Sequence, residues 1–377
     1  MPSTVFRIAV IRGDGIGVDV TDATLQVIDR ARELLGGFEF DFDDIEAGAA
    51  YYLRTGNDIE PDGEERATRS DAILLGAIGL PSVRQEDGTE ISPHLRLREI
   101  MQLYAGVRPI KAYPNSPRRL ADPRAAAIDM IVLRESTEGL FYSAAVHKRA
   151  VVIDDVEVRD IMRITRATTE KLHDFAFRLA QKRKLRGKPG RVTCVDKANV
   201  FQSQAFFRKI FDERATAFPD VEKGYNYVDA QALDLIRRPW DFDVLVMENM
   251  FGDIISDLAG GLVGGMGMAS CAEIGDSHGL FQPAHGSAPD IMGQDKANPL
   301  AAILSGALML EYLGEKSGNE AAQRAALQIE AAVDAGFAQG RLRPMEFGGD
   351  MGTEAITAEV LALLSEVETP ATTAAAI

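Results

Sequence analysis

An α/β fold with a mostly parallel sheet is the architecture that this sequence predicts. Short aliphatic runs, "FRIAVI", "DAILLGAIG", "IDMIVLRES", "RVTCVDK" and "FDVLVMENM", end in polar or glycine-rich turns and read as buried strands. Stretches with apolar residues at helical spacing lie between them, such as "DVTDATLQVIDRARELL" and "RDIMRITRATTEKLHDFAFRLAQKR". Such alternation makes parallel neighbours, because each strand returns through a helix. The 377 residues, 46% hydrophobic and 26% charged, leave room for two domains with substantial cores.

In chain order, "FRIAVI" is the first strand, and "GDGIG" (13–17) is a tight turn into the first helix. As a dinucleotide fingerprint it is poor, because the third glycine is misplaced, and no Walker A sequence occurs. "HLRLREIMQLYAGVRPIK" carries Arg96, Arg98 and Arg108; if the segment is helical, Arg98 and Arg108 stand nearly three turns apart. "IVLRE" delivers Arg134, and "AAVHKRAVVIDDVEVRD" reads as a projecting hairpin. "VTCVDKAN" delivers Asp196, Lys197 and Asn199, "YNYVDAQAL" offers Asp229, and "LVMENMFGD" brings Asn249 and Asp253. In open α/β sheets ligands collect at the carboxyl ends of strands, so these residues are candidates for a site.

Asp253 and Asp257 are four apart and share one face of a helix. They suit a hard cation; the alternative is that Asp253 caps the helix and Asp257 is solvated. No His/Cys cluster of ligand spacing appears, so a metal here is Mg²⁺ or Mn²⁺ and not zinc. Arg98, Arg108 and Arg134 form either a carboxylate clamp or ordinary surface ion pairs. The loop "FQPAHGSAPDIMGQDKANP" (281–299) holds His285, Gly286, Ser287 and Asp290; glycine admits a ligand and Asp accepts from ribose hydroxyls.

The net charge of -16 argues against nucleic acid or anionic membrane as partners. No apolar run has the length of a membrane span, the N-terminus does not read as a signal peptide, and two cysteines make no disulfide framework. A reducing cytoplasm is the expected compartment. The tail "ETPATTAAAI" is low in complexity and is expected to fray.

The ordered set "LYAGVRP", "VLRESTEG", "DKANV", "YVDA", "NMFGDIISDLAGGLVGGMG" and "HGSAPDI" resembles the metal-dependent β-decarboxylating dehydrogenases. These act on isocitrate, 3-isopropylmalate, homoisocitrate and tartrate or D-malate. The resemblance runs over nearly the whole chain. It implies a two-domain α/β sandwich of the isopropylmalate dehydrogenase-like type, not a true Rossmann fold. Residues 1–103 and 264–377 would form a discontinuous cofactor-binding domain. Residues 104–263 would form a central domain with the dimer interface and a hairpin near 144–160. By motif, Asp253 and Asp257 would bind Mg²⁺ or Mn²⁺ with Asp229 of the neighbouring subunit. Arg98, Arg108 and Arg134 would hold the malate moiety. Lys197, also from the neighbour, would be the general base, and Asn199 would contact substrate or nicotinamide. His285, Gly286, Ser287, Ala288, Asp290, Ile291 and Asn298 would bind the cofactor. The Asp290-Ile291 pair marks NAD where NADP enzymes carry Lys-Tyr. A homodimer with shared active sites is expected.

The sequence departs from this pattern in places. The acid is a tyrosine in the family; here Phe141 occupies its position and Tyr142 follows, so Tyr142 becomes the candidate acid, with water as the alternative. Gln282 stands for a usual glutamate, and Arg12 for a usual proline. Ser92 and His94 fall where the C3 substituent is read, and favour a small or polar group over isopropyl. The expected activity is NAD-dependent oxidation, with decarboxylation, of an isocitrate-, tartrate- or malate-like 2-hydroxy acid. 3-Isopropylmalate is the alternative substrate. A non-catalytic regulatory or ligand-binding relative is the alternative of another class, and Phe141 is its support.

Overall fold

The computed structural model describes residues 4–144, 149, 151–152 and 155–368. The chain begins with β1 (Thr4–Gly13), α1 (Gly17–Leu35), β2 (Phe38–Asp44), α2 (Ala49–Thr55), α3 (Gly63–Arg69), β3 (Ala72–Ala77), α4 (Pro93–Ile100), β4 (Ala105–Lys111) and β5 (Asp129–Glu135). It continues through β6 (Val151–Val152), β7 (Val158–Arg159), α5 (Arg166–Leu185), β8 (Arg191–Asp196), α6 (Gln202–Ala215), β9 (Glu222–Tyr227), α7 (Val228–Arg237), β10 (Val244–Met247) and α8 (Asn249–Leu262). It ends with β11 (Ser270–Ile274), β12 (Gly279–Pro283), α9 (Leu300–Ser317), α10 (Glu320–Ala338) and α11 (Thr353–Glu366).

Two local readings change. The segment 94–111 is not one helix: α4 stops at Ile100, and Arg108 sits on β4. Helix α5 starts at Arg166, not near 159, because the Thr165 hydroxyl caps it and Arg163 is already bridged to Gly139. The hairpin near 144–160 falls partly outside the described residues; within them β6 pairs antiparallel with β7. The terminal tail from 369 onward also lies outside them.

Ten strands form one sheet in the order β2-β1-β3-β12-β11-β4-β5-β10-β8-β9. Six pairings are parallel. Three are antiparallel, and these flank β11 and β4 at the centre. The sheet is therefore two parallel blocks joined through a short antiparallel seam.

Side chains alternate across a sheet, and here the two faces differ. One face is a continuous apolar core: Leu74, Phe281, Ala272, Val107, Leu133 and Val246 all join one cluster with α1, α5, α9, α10 and α11. The other face is interrupted. Ile73, Leu75 and Leu280 form one cluster with Leu97 of α4; Val132, Leu245 and Met247 form another with Ile255 and Ala259 of α8. Between them Arg108, Arg134, Glu273 and Gln282 occupy the positions that apolar residues would fill.

The GDGIG turn is fixed by a buried carboxylate. Gly13 and Gly15 have φ of 73° and 57°, and Asp14 between them is 1% exposed. Its oxygens accept from Ala49 N at 2.8 Å, Ala50 N at 2.8 Å and Gly79 N at 2.7 Å, tying the turn to the start of α2 and the end of β3. Arg12 next to it pairs with Asp22, at 2.8 Å, and with Asp44. Asp14→Ala orphans three backbone donors and is expected to cost about 3 kcal/mol. Denaturant unfolding checks this; a loss under about 1 kcal/mol would mean that the turn holds itself.

Candidate active site

The three arginines arrive from three elements. Arg98 is in the last turn of α4, Arg108 is on β4 and Arg134 is at the end of β5. All are buried, at 7%, 7% and 3% exposure, yet all line one cleft with Ser92, His94, Phe141, Asp253, Gln282 and His285. Arg96, on the outer side of α4, instead pairs with Asp58 and Glu64. Crowding has an electrostatic price: burial, and then Arg108, pull Arg134 down to about 10, which leaves it charged at neutral pH.

Helix α8 supplies the counter-charges. Its N-cap is Glu248, whose carboxylate accepts from Met250 N and Phe251 N, so Asp253 does not cap the helix. That frees Asp253 to meet Arg134 and, at 3.5 Å, Arg108; Asp257, one turn on, is 3.5 Å from Arg108. Close approach is possible because residue 252 is glycine: a Cβ there would lie 2.6 Å from Arg134 Cβ. Arg134 also donates to Asn249 Oδ1 at 2.8 Å, and Arg108 to Ser256 Oγ at 2.6 Å. The donors are oxygens only, which fits a hard cation. Among the described residues no group of three or more metal-ligating side chains stands together, so a cation held by Asp253 and Asp257 would need a further ligand from elsewhere.

On the far side of the cleft, the loop after β12 is stitched to the GDGIG turn. Ile16 N donates to Ser287 O at 2.7 Å, and Ser287 Oγ donates to Gly79 O. Ile291 packs against the small cluster of Ile16, Val20, Ala297 and Ala302. Ala288 has φ of 34°, and nothing stands where Gly286 would carry a Cβ. Burial pushes His285 down, and its Nε2 is covered without a partner. Asp290 is exposed. Asn298 lies deeper, donating to Glu346 at 2.9 Å and accepting from Leu300 N at 3.2 Å.

Residues 7–362 match the family model for isocitrate/isopropylmalate dehydrogenase. The chain belongs to that family. It is 41% identical over 355 residues to the 3-isopropylmalate/3-methylmalate dehydrogenase of Methanocaldococcus jannaschii, covering 94% of this chain and 97% of that one. It is 36% identical to the 3-isopropylmalate dehydrogenase of Aquifex aeolicus, covering 96% and 98%. Among solved structures, isocitrate dehydrogenase from Methylococcus capsulatus superposes with a TM-score of 0.82 at 31% identity, covering 95% of this chain and 99% of that one. A β-decarboxylating dehydrogenase from Thermococcus kodakarensis gives 0.76 at 33%, covering 96% of each. The α/β fold with a mostly parallel sheet is thus that of the isocitrate and isopropylmalate dehydrogenases.

Against this family background the departures gain positions. Phe141 lines the cleft with its ring under the Arg134 guanidinium, 4.8 Å from its centroid. Tyr142 is held between Arg149 and Arg163, at 4.6 and 4.2 Å, and is not among the residues that line the cleft. Lys197 and Asp229 are not in this cleft either: Lys197 Nζ donates to Asp229 Oδ1 at 2.5 Å, beside exposed Asn199. Asp196, from the same strand end, is consumed by Arg208 at 2.7 and 2.8 Å. Ser92 is buried where α4 begins, and its hydroxyl donates to Glu90 O at 3.4 Å. Burial, reinforced by Arg98, pushes His94 down to about 3, and its Nδ1 has no partner. Glu273 escaped the sequence reading. The signal was present, since it is a lone charge in the apolar run "ASCAEIG".

Proposed function

We propose that this chain is an NAD-dependent, Mg²⁺- or Mn²⁺-dependent dehydrogenase that oxidises and decarboxylates a malate-type 2-hydroxy acid with a small or polar C3 substituent. The observation that supports it most is the convergence of Arg98, Arg108 and Arg134 with Asp253 in one cleft. Guanidinium forks hold the carboxylates of the substrate. Asp253 and Asp257 hold the cation, completed by Asp229 of a second copy, whose Lys197 takes the hydroxyl proton. This makes the enzyme a homodimer with shared sites; the placement of Lys197 and Asp229 together, outside their own chain's cleft, fits that arrangement. A cation held there would supply polarisation of the 2-hydroxyl, and a bound nicotinamide would supply the hydride acceptor. His285, Gly286, Ser287 and Ala288 line the cofactor's approach, and Asp290 receives the ribose diol. No described helix is long and apolar enough to cross a membrane. Both cysteines are free and buried, which fits a reducing compartment such as the cytoplasm.

A second reading, 3-isopropylmalate as substrate, is favoured by the names of the relatives and by Leu75, Ile78 and Leu95 in the cleft wall. Ser92 and His94 in the same wall favour a polar group. Turnover of purified protein with Mn²⁺, NAD and a panel of 2-hydroxy acids decides between them. Activity with NAD should exceed that with NADP, and Asp290→Lys with Ile291→Tyr should erode the preference by at least about tenfold. Faster turnover with NADP by the unmodified protein overturns the cofactor reading. Absence of turnover across the panel favours the regulatory relative.

A further inference from the structure

Glu273 lies beneath the arginine cleft with 0% exposure. Its Oε1 is 3.0 Å from Arg98 Nη2. Burial alone would push this carboxyl up; Arg98, Arg108 and Arg134, with the Ser136 hydroxyl, hold it below the ordinary value. The strand register shows why it is there. Cys271 pairs with Gln282 and Glu273 with Leu280, so Glu273 and Gln282 are diagonal neighbours on one face. An amide stands at 282, where the resemblance leads one to expect a carboxylate. The carboxylate stands instead on the adjacent strand, deeper and against Arg98.

This changes what the cleft can balance. With Asp253 and Asp257 set against the cation they are proposed to hold, Asp229 of the second copy set against its Lys197, and Glu90 at the rim paired with Arg84, the remaining fixed charges are three guanidiniums and one carboxylate, a net of two positive charges. Two substrate carboxylates match that. A third would meet Arg98, which shares α4 with His94 and Leu95 of the cleft wall, and this one is already paired in a buried ion pair. An unmatched charge in such a site is costly, and Glu273 cannot turn out to solvent to relieve it. We infer that Glu273 is a specificity-determining residue, acting through Arg98, that selects 2-hydroxy acids with two carboxylates over those with three. The inference deepens the proposed function and rests on it for the hydroxy acid, but its charge discrimination is readable without turnover.

The test has two arms. In the first, kcat/KM is measured for malate, tartrate and isocitrate with the unmodified chain, Glu273→Gln and Glu273→Asp. Glu273→Gln should shift the tricarboxylate-to-dicarboxylate ratio upward by at least about tenfold, and Glu273→Asp, which keeps the charge, should leave it within about threefold. In the second, calorimetric titration with saturating Mn²⁺ compares succinate with tricarballylate, two inert probes. The unmodified chain should bind succinate more tightly, and Glu273→Gln should close the gap. If the unmodified chain binds tricarballylate as tightly as succinate, the inference is wrong even if no variant folds. An equal loss on both substrate classes in Glu273→Gln, with the ratio unchanged, makes the residue merely structural and overturns it as well. If no hydroxy acid is turned over but the succinate preference is present and charge-dependent, the proposed function falls and this inference stands.

Discussion

Asp253→Asn should lower kcat/KM by about 10² to 10³ or more, since it removes a preorganised charge from the reacting centre. The asparagine keeps the shape of the side chain and one acceptor oxygen, so α8 should still pack on β5 through Gly252. What it loses is the charge that faces both Arg134 and Arg108. Those two guanidiniums then crowd each other without their shared counter-ion, and the proposed cation loses one of the two ligands this chain offers it. The fall should therefore appear in two independent measurements. Mn²⁺ affinity, followed by calorimetry without substrate, should weaken, and steady-state turnover should drop even at saturating Mn²⁺. Excess EDTA should abolish activity of the unmodified protein, and Mn²⁺ or Mg²⁺ should restore it. Full turnover in EDTA would show that the aspartates serve only the arginines.

Phe141→Tyr should raise decarboxylating turnover by about 10² to 10⁴, the worth of a positioned general acid. In the proposed reaction oxidation would use Lys197 and bound cofactor, and neither depends on a phenol. Protonating the carbon left after CO₂ departs does need an acid. Phe141 lines the cleft under Arg134, whereas Tyr142 is locked between two guanidiniums. Tyr142→Phe keeps a ring for that stack and should change turnover by less than about twofold. NADH and CO₂ should be followed together, because NADH without CO₂ identifies a stalled intermediate. A sharp loss in Tyr142→Phe would make Tyr142 the donor after all. If both variants are silent, the step is served by water or the substrate loses no CO₂.

The strands were legible from local pattern. Buried strands leave an aliphatic run bounded by polar residues, and each of the five runs quoted first became a sheet strand. The arginines were legible from motifs, but their supports were not, because support depends on register between distant segments. Nothing near Arg98 in the sequence announces Glu273, and only the pairing of β11 with β4 and β12 brings the two together. A single helix through Arg98 and Arg108, one possibility for that segment, does not form for a similar reason. Apolar spacing over 94–111 suits a helix, but Val107 was needed in the sheet core. Asp253 was weighed as a cap because it follows a strand, and Glu248, five residues earlier, does that work through its longer side chain.

The antiparallel seam also bears on how the chain is made. Strands β3 and β4 come early, yet the strands that separate them, β11 and β12, are translated after residue 269. Leu280 must find Ile73, and Ala272 must find Val107. Until that stretch has left the ribosome, both early strands are open edges in a nascent chain, the kind of edge that pairs with strangers. Completion of the sheet is thus a late event governed by distant partners, and the molecule is expected to fold slowly for its size and to depend on protection from aggregation while it does so.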